Sequence, residues 1–218
     1  MARSAARLLL IRHGETAWNA EGRIQGQLDV PLSAKGVWQA QRLAARLASA
    51  DEGIDAVISS DLARARLTAQ PLAEALGLAA GVEPRLRERA FGIFEGHSLD
   101  EIEQRWPAAF DAWRHRDLAW AIPGGESALQ LIARVQAALA DIAIAHAGGT
   151  VAVIAHGGVL DVAYRTARDL AWDAPREHLM LNAGINRMAA VAAPLALTIL
   201  AWGDAAHLDA ARDEVTES

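Results

Sequence analysis

The chain has no cysteine among its 218 residues, which removes disulfides, thiol nucleophiles and cysteine–zinc sites from consideration. It has no positive excess either. A formal charge of −6 and a pI near 5.6 argue against nucleic acid or an anionic membrane as partner. No stretch approaches the roughly 20 apolar residues that span a bilayer. The basic start, Met1 to Arg7, is faintly like the head of a signal peptide, but the apolar Leu8–Ile11 that follows is cut off by Arg12, too short for its core. Neither a His-Glu-x-x-His pattern nor a comparable ligand cluster occurs, so no metal and no cofactor are expected. Internal repeats, linkers and low-complexity segments are absent too. The reading is a soluble, cytoplasmic protein whose oligomeric state the sequence leaves open.

What is present is a 52% hydrophobic composition rich in alanine, suited to helices in the outer layers. Leu8-Leu9-Leu10-Ile11 reads as a short buried strand ending in Arg12-His13-Gly14-Glu15-Thr16. Val151-Ala152-Val153-Ile154-Ala155 repeats the arrangement and ends in His156-Gly157-Gly158. Ala56-Val57-Ile58 is a third buried strand, running through Ser59-Ser60-Asp61 into a helix that carries Arg64. Between them lie a polar loop from Glu15 to Leu32 and a helix capped by Ser33, with Val37, Ala40, Leu43, Ala44 and Leu47 at helical spacing. Pro71 is expected to kink or restart the Arg64 helix and Gly77 to end it.

Residues 81–125 are less regular. Ser98-Leu99-Asp100-Glu101 has the capping-box form, opening a helix that stops before Pro107, and Trp106, Trp113 and Trp120 suggest a small helical cap. A long helix carries Leu129, Ile132, Val135, Leu139 and Ile142 and ends at Gly148-Gly149; another runs from Val159 to Leu170. Strand-like runs follow near 186–191 and 195–202, and the acidic tail after Asp204 is expected to fray. Strands alternating with helices imply an α/β protein, a three-layer αβα sandwich on a mainly parallel sheet. It reads as one domain over residues 1–218 with a helical insertion at about 86–122.

In such sheets ligands bind at the carboxyl ends of the strands. Arg12-His13, Arg64 and His156 all stand at such ends, and Glu88 in Arg87-Glu88-Arg89 adds a carboxyl group. A phosphoryl group in transfer spreads charge over three oxygens, which forked guanidiniums match better than ammonium groups do. Backbone N–H groups near Gly157 and Gly158 could add donors. With cysteine absent, a neutral histidine is the strong nucleophile candidate, and neighbouring arginines would disfavour its protonation. Glu88 is the candidate general acid for the leaving alkoxide, since a bound phosphate dianion would favour its protonated form.

Arg12-His13-Gly14-Glu15-Thr16 with Trp18-Asn19, then Arg64, Glu88 and His156-Gly157-Gly158 in this order, resembles the histidine phosphatase superfamily, also called phosphoglycerate mutase-like, from Leu8 to about Trp202. The resemblance implies that His13 is the nucleophile, that Arg12, Arg64 and His156 bind the phosphoryl group, and that Glu88 donates the proton. It further implies that Asn19, with Gln25 and Gly26 on the same loop, lies in the phosphate pocket, and that Asn182 lies near it. Gln25-Gly26, Phe91-Gly92-Ile93-Phe94-Glu95-Gly96 and Pro123-Gly124-Gly125-Glu126-Ser127 resemble the phosphatase members, and the Gly-x-Asn-Lys continuation of the mutases is missing after Gly96. The expectation is a metal-independent phosphomonoesterase acting on a small phosphorylated metabolite. A cofactor-dependent phosphoglycerate mutase is the alternative, followed by a non-catalytic phospho-ligand binder and a histidine–carboxylate metal hydrolase.

Taken singly, each residue has a plainer reading. His13 and His156 are loop histidines, Arg64 a solvated helix residue, and Glu88 a surface ion-pair partner worth little. His97, His115, His146, His178 and His207 lack supporting spacing. Arg114-His115-Arg116 reads as a solvated face rather than as a contact to the far end of a substrate.

Overall fold

The computed structural model describes residues 4–209. The expected tail after Asp204 falls mostly outside that range, as do the first three residues. The strands and helices, in chain order, are β1 (Ala6–Arg12), α1 (Ala17–Ala20), α2 (Ala34–Ser49), β2 (Ile54–Ser59), α3 (Ala63–Leu76), β3 (Ala80–Val82), α4 (Leu99–Arg105), α5 (Pro107–Arg114), α6 (Ala128–Ala145), β4 (Thr150–Ala155), α7 (Gly157–Arg168), β5 (Ile185–Val191) and β6 (Ala196–Asp204).

The six strands form one sheet in the order β3-β2-β4-β1-β5-β6. β3, β2, β4 and β1 pair in parallel, while β5 runs antiparallel to both β1 and β6. The sheet is therefore mainly parallel, and its central strands are buried on both faces, which explains their unbroken apolar runs. Leu9 and Ile11 of β1 face α2 and α3 with Leu43, Leu47 and Leu72. Leu8 and Leu10 face the opposite layer, with Val135 and Leu139 of α6 and Val159 of α7. That is the three-layer sandwich. Residues 84–122 hold α4, α5 and two short 3-10 turns around a separate cluster of Phe94, Ile102, Phe110 and Ile122.

Several boundaries differ from the sequence reading. α3 passes through Pro71 without restarting, while Gly77 ends it as expected, in the left-handed conformation with φ 65°. α7 opens at Gly157 rather than Val159, with His156 at its N-cap. The loop after β1 contains α1, whose Thr16 and Asn19 form a reciprocal cap. Strand β3, three exposed residues at the sheet edge, has no periodicity to announce it. Contrary to the sequence reading, α6 is long and apolar enough to cross a membrane by length and composition alone. In the fold, however, Leu131, Val135, Leu139 and Ile142 pack it into the core.

The segment leaving β1 is pressed against the start of α2. A Cβ on Gly36 would strike the backbone oxygen of Glu15, and one on Gly14 would meet the carbonyl of Gly36. Both clashes are with main chain, so neither is relieved by a rotamer change. Gly36→Ala is expected to cost about 1–3 kcal/mol of stability, read as a lower urea midpoint at unchanged slope.

Candidate active site

The register of the sheet builds the site. Arg12 pairs with Ala155 across β1 and β4, and the His13 N–H donates to the Ala155 carbonyl at 2.9 Å. The two histidines that follow these strands therefore emerge side by side, with ring centroids 5.2 Å apart and tilted by 56°. β2 ends at the same level, where the Ser60 N–H donates to the Ile154 carbonyl at 3.0 Å. Its continuation into α3 brings Arg64 to the same place.

The guanidinium groups are held by main chain. Arg64, fully enclosed at 0% exposure, donates from Nη1 to the Leu28 carbonyl (2.8 Å) and from Nη2 to the Gly26 carbonyl (2.6 Å). Arg12 donates from Nη1 to the Met180 carbonyl at 2.8 Å. Among the described residues, the Nε atoms of both arginines are buried without a partner, as are both ring nitrogens of His156 and Oε1 of Gln25. Buried polar atoms are normally paired. Orphans of this kind, gathered at one place and mostly able to donate, fit an anion with several acceptor oxygens.

His13 contributes a different atom. Its Nδ1 lies 2.7 Å from the Gly14 carbonyl, an acceptor only, so Nδ1 carries the proton and Nε2 keeps its lone pair. Burial, then the charges of Arg12 and Arg64, hold the ring well below the ordinary histidine range. His156 is lowered well below it too, by burial first and then by His13, Arg64 and Arg12. Both imidazoles are neutral at neutral pH.

A hollow of about 150 Å³ is walled by Arg12, His13, Asn19, Gln25, Arg64 and Glu88 among others. It shares Arg12, Glu88 and Phe91 with a larger cleft of about 690 Å³ that runs toward the cap and α7. Gly26 borders the small hollow with φ +54°, and a Cβ there would strike the Glu95 carboxylate. His156 is not one of the walls but packs beside His13. Among the described residues, no three His, Asp or Glu side chains converge to hold a metal ion.

The structure refines three sequence-based expectations. Gly157 lines the larger cleft, not the small hollow. The Gly158 N–H, expected to face an oxyanion, lies 3.1 Å from both carboxylate oxygens of Glu88. The helix N-terminus thus holds the carboxyl group in place. Asn182 is not a wall of the hollow but lies beside two residues that are, His13 and Asn19. Its Nδ2 donates to the His13 carbonyl at 2.8 Å and lies 3.4 Å from Asn19 Oδ1, so it braces the backbone beneath the imidazole.

Sequence reasoning passed over Arg134. From the middle of α6 it donates to the carbonyls of Arg85, Arg87 and Glu88 and to the Glu126 carboxylate, at 2.6–3.0 Å. Glu126 in turn accepts the Ala90 N–H at 2.9 Å. The pair clamps the backbone on both sides of Glu88. The only guanidinium on a mostly apolar helix was the available signal.

With this geometry in place, the comparisons with known proteins become specific. Residues 8–201 match the family model of the histidine phosphatase superfamily (branch 1), and the chain belongs to that superfamily. It is 38% identical over 216 residues to the "probable phosphoglycerate mutase GpmB" of Enterobacter sp. (strain 638), covering 94% of this chain and 97% of that one. Its structure is similar to Bacillus stearothermophilus YhfR, with TM-score 0.83, 32% identity, and coverage of 94% and 100% of the two chains. The mycobacterial glucosyl-3-phosphoglycerate phosphatase in complex with VO3 is similar at TM-score 0.79 and 32% identity, with coverage of 94% and 100%. Phosphatases and mutases share this superfamily.

The depressed histidines set a pH dependence. A group lowered in the folded state binds fewer protons there than in the unfolded chain, so its stabilising contribution is present above the unfolded value of 6.5 and is lost as pH falls. His178 and His207, lowered mainly by burial, act in the same direction. Stability should fall from pH 7 to pH 5 with a slope of up to about 1.4 kcal/mol per pH unit for each histidine involved. Urea titrations at several pH values read that slope.

Proposed function

We propose that this chain is a phosphomonoester hydrolase that works through a phosphohistidine on His13, without a metal, on a small phosphorylated metabolite. The observation that supports it best is the meeting of unpartnered donors, Arg12 Nε, Arg64 Nε and His156, around a histidine whose Nε2 lone pair is free. His13 Nε2 attacks phosphorus as the bond to the leaving oxygen breaks. Arg12, Arg64 and His156 carry the charge on the three equatorial oxygens. Glu88 gives its proton to the leaving oxygen, and its carboxylate then takes one from the water that attacks the phosphohistidine. Inorganic phosphate leaves and His13 is restored. Asn19, Gln25 and Gly26 shape the phosphoryl hollow, and Asn182 acts through the His13 backbone.

The mutase reading draws on the name of the GpmB relative. A mutase must shelter its phosphohistidine from water and retain a bisphosphorylated intermediate. Here the hollow opens beside Glu88 into a cleft of about 690 Å³, which suits hydrolysis. Phosphate release measured beside a phosphoglycerate mutase assay separates the two.

Turnover of an aryl phosphate should persist in a chelator, and an acid-labile phosphoenzyme should be trapped by rapid quench. His13→Ala is expected to lose both, activity by about 10³-fold or more. Retained turnover in that variant would remove His13 as nucleophile.

A second test displaces Glu88. A Cβ on Gly158 would strike the Glu88 carboxylate, a flexible end that must swing away. Gly158→Ala should cut kcat on alkyl phosphates, whose alkoxide needs a proton, by about 10²-fold. Turnover of dinitrophenyl phosphate, whose leaving group needs none, should change far less.

A further inference from the structure

The net charge of the chain is −6, yet the larger cleft has the opposite sign. Beyond Arg12 and Glu88 it is walled by five arginines and only two carboxylates, Asp117 and Asp161. Most of these cations are committed. Arg165, 4% exposed at its side chain, donates to Asp161 at 3.1 Å and to the Ala171 and Ala174 carbonyls at 2.6 and 2.8 Å. Arg116 is tied to the Asp173 and Ala174 carbonyls at 2.8 and 2.6 Å. Arg114 lies over the Phe110 ring, 5.7 Å from its centroid.

The shortest polar contacts of Arg176 and Arg89 are longer than those of Arg165 and Arg116, and Arg89 also lies over the Phe91 ring at 5.5 Å. Arg176, with half its side chain exposed, reaches Asp161 only at 3.3 and 3.4 Å, and that carboxylate is already neutralised by Arg165. Arg89 donates to the Glu126 carbonyl at 3.1 and 3.2 Å, while the Glu126 carboxylate is taken by Arg134. Arg176 and Arg12 line the same cleft. With six arginines against three carboxylates, Glu88, Asp117 and Asp161, in its walls, the cleft favours an anionic occupant.

We infer that the leaving group of the substrate carries a second anion, a carboxylate or a phosphate, which Arg176 binds in the larger cleft while Arg89 adds to the positive potential there. This rests on the hydrolase reading and extends it from the phosphoryl group to the alcohol it is cleaved from. The phosphoryl end sits in the small hollow, the scissile oxygen passes Glu88, and the charged end lies toward α7.

Three phosphomonoesters with alkoxide leaving groups test it: glycerol 3-phosphate, 3-phosphoglycerate and 1,3-propanediol bisphosphate. At low salt, one or both of the latter two should exceed glycerol 3-phosphate in kcat/KM by about tenfold, the worth of one charge-assisted contact. The better of the two identifies the anion as carboxylate or phosphate. Arg176→Gln, a half-exposed change that spares the fold, should raise KM for the preferred ester severalfold while leaving glycerol 3-phosphate unchanged. Added salt should shrink the preference. Equal kcat/KM for all three esters overturns the inference, as does an Arg176→Gln loss shared equally by them. If p-nitrophenyl phosphate is hydrolysed in those cases, the hydrolase reading survives. If no ester is hydrolysed and no phosphoenzyme forms, both fall.

Discussion

The hydrogen bond from the His13 N–H to the Ala155 carbonyl closes the ladder between β1 and β4 at the level where both strands end. Everything at the site depends on that registration. Shifting one strand by a residue would send its side chains to the opposite face, and Arg12, His13 and His156 would no longer meet. The apolar runs of the two strands, buried on both sides, hold the register with the whole core behind it.

The second constraint is electrostatic. Two arginines and two histidines share a space with little water, and the fold accommodates them by different means. Main-chain carbonyls accept from the guanidiniums, and the imidazoles stay neutral because burial and the neighbouring arginines disfavour their charged forms. A neutral imidazole with one nitrogen bonded to a carbonyl has its reactive nitrogen defined. The same surroundings that make protonation costly make the ring a nucleophile.

What could be read from the sequence follows from how local each feature is. β1 and β4 were legible because strands buried on both faces leave continuous apolar runs, and the polar residues that end those runs stand out. Arg64 could be placed at a strand end and Glu88 picked out as chemistry, but the contacts that hold them come from residues distant in the chain and could not be read. The Gly158 N–H was assigned to an oxyanion because a helix start offers donors; which acceptor takes them is a tertiary matter, and Glu88 does. Asn182 was placed near the pocket, but its hold on the His13 carbonyl is a tertiary contact that residue identity does not show. Arg134 was overlooked because its partners are mostly backbone carbonyls, which leave no trace in residue identity. β3 and α1 are too short to show a period.

Arg64 has a consequence for how such a protein tolerates change. Its charge is enclosed and its Nε has no protein acceptor among the described residues, so its burial costs free energy that a bound oxyanion would offset. An uncharged residue of similar shape at that position would free the core from that cost and forfeit the chemistry. Selection for heat resistance alone would therefore erode this position first, and its persistence in a lineage would record continuous use rather than architectural need.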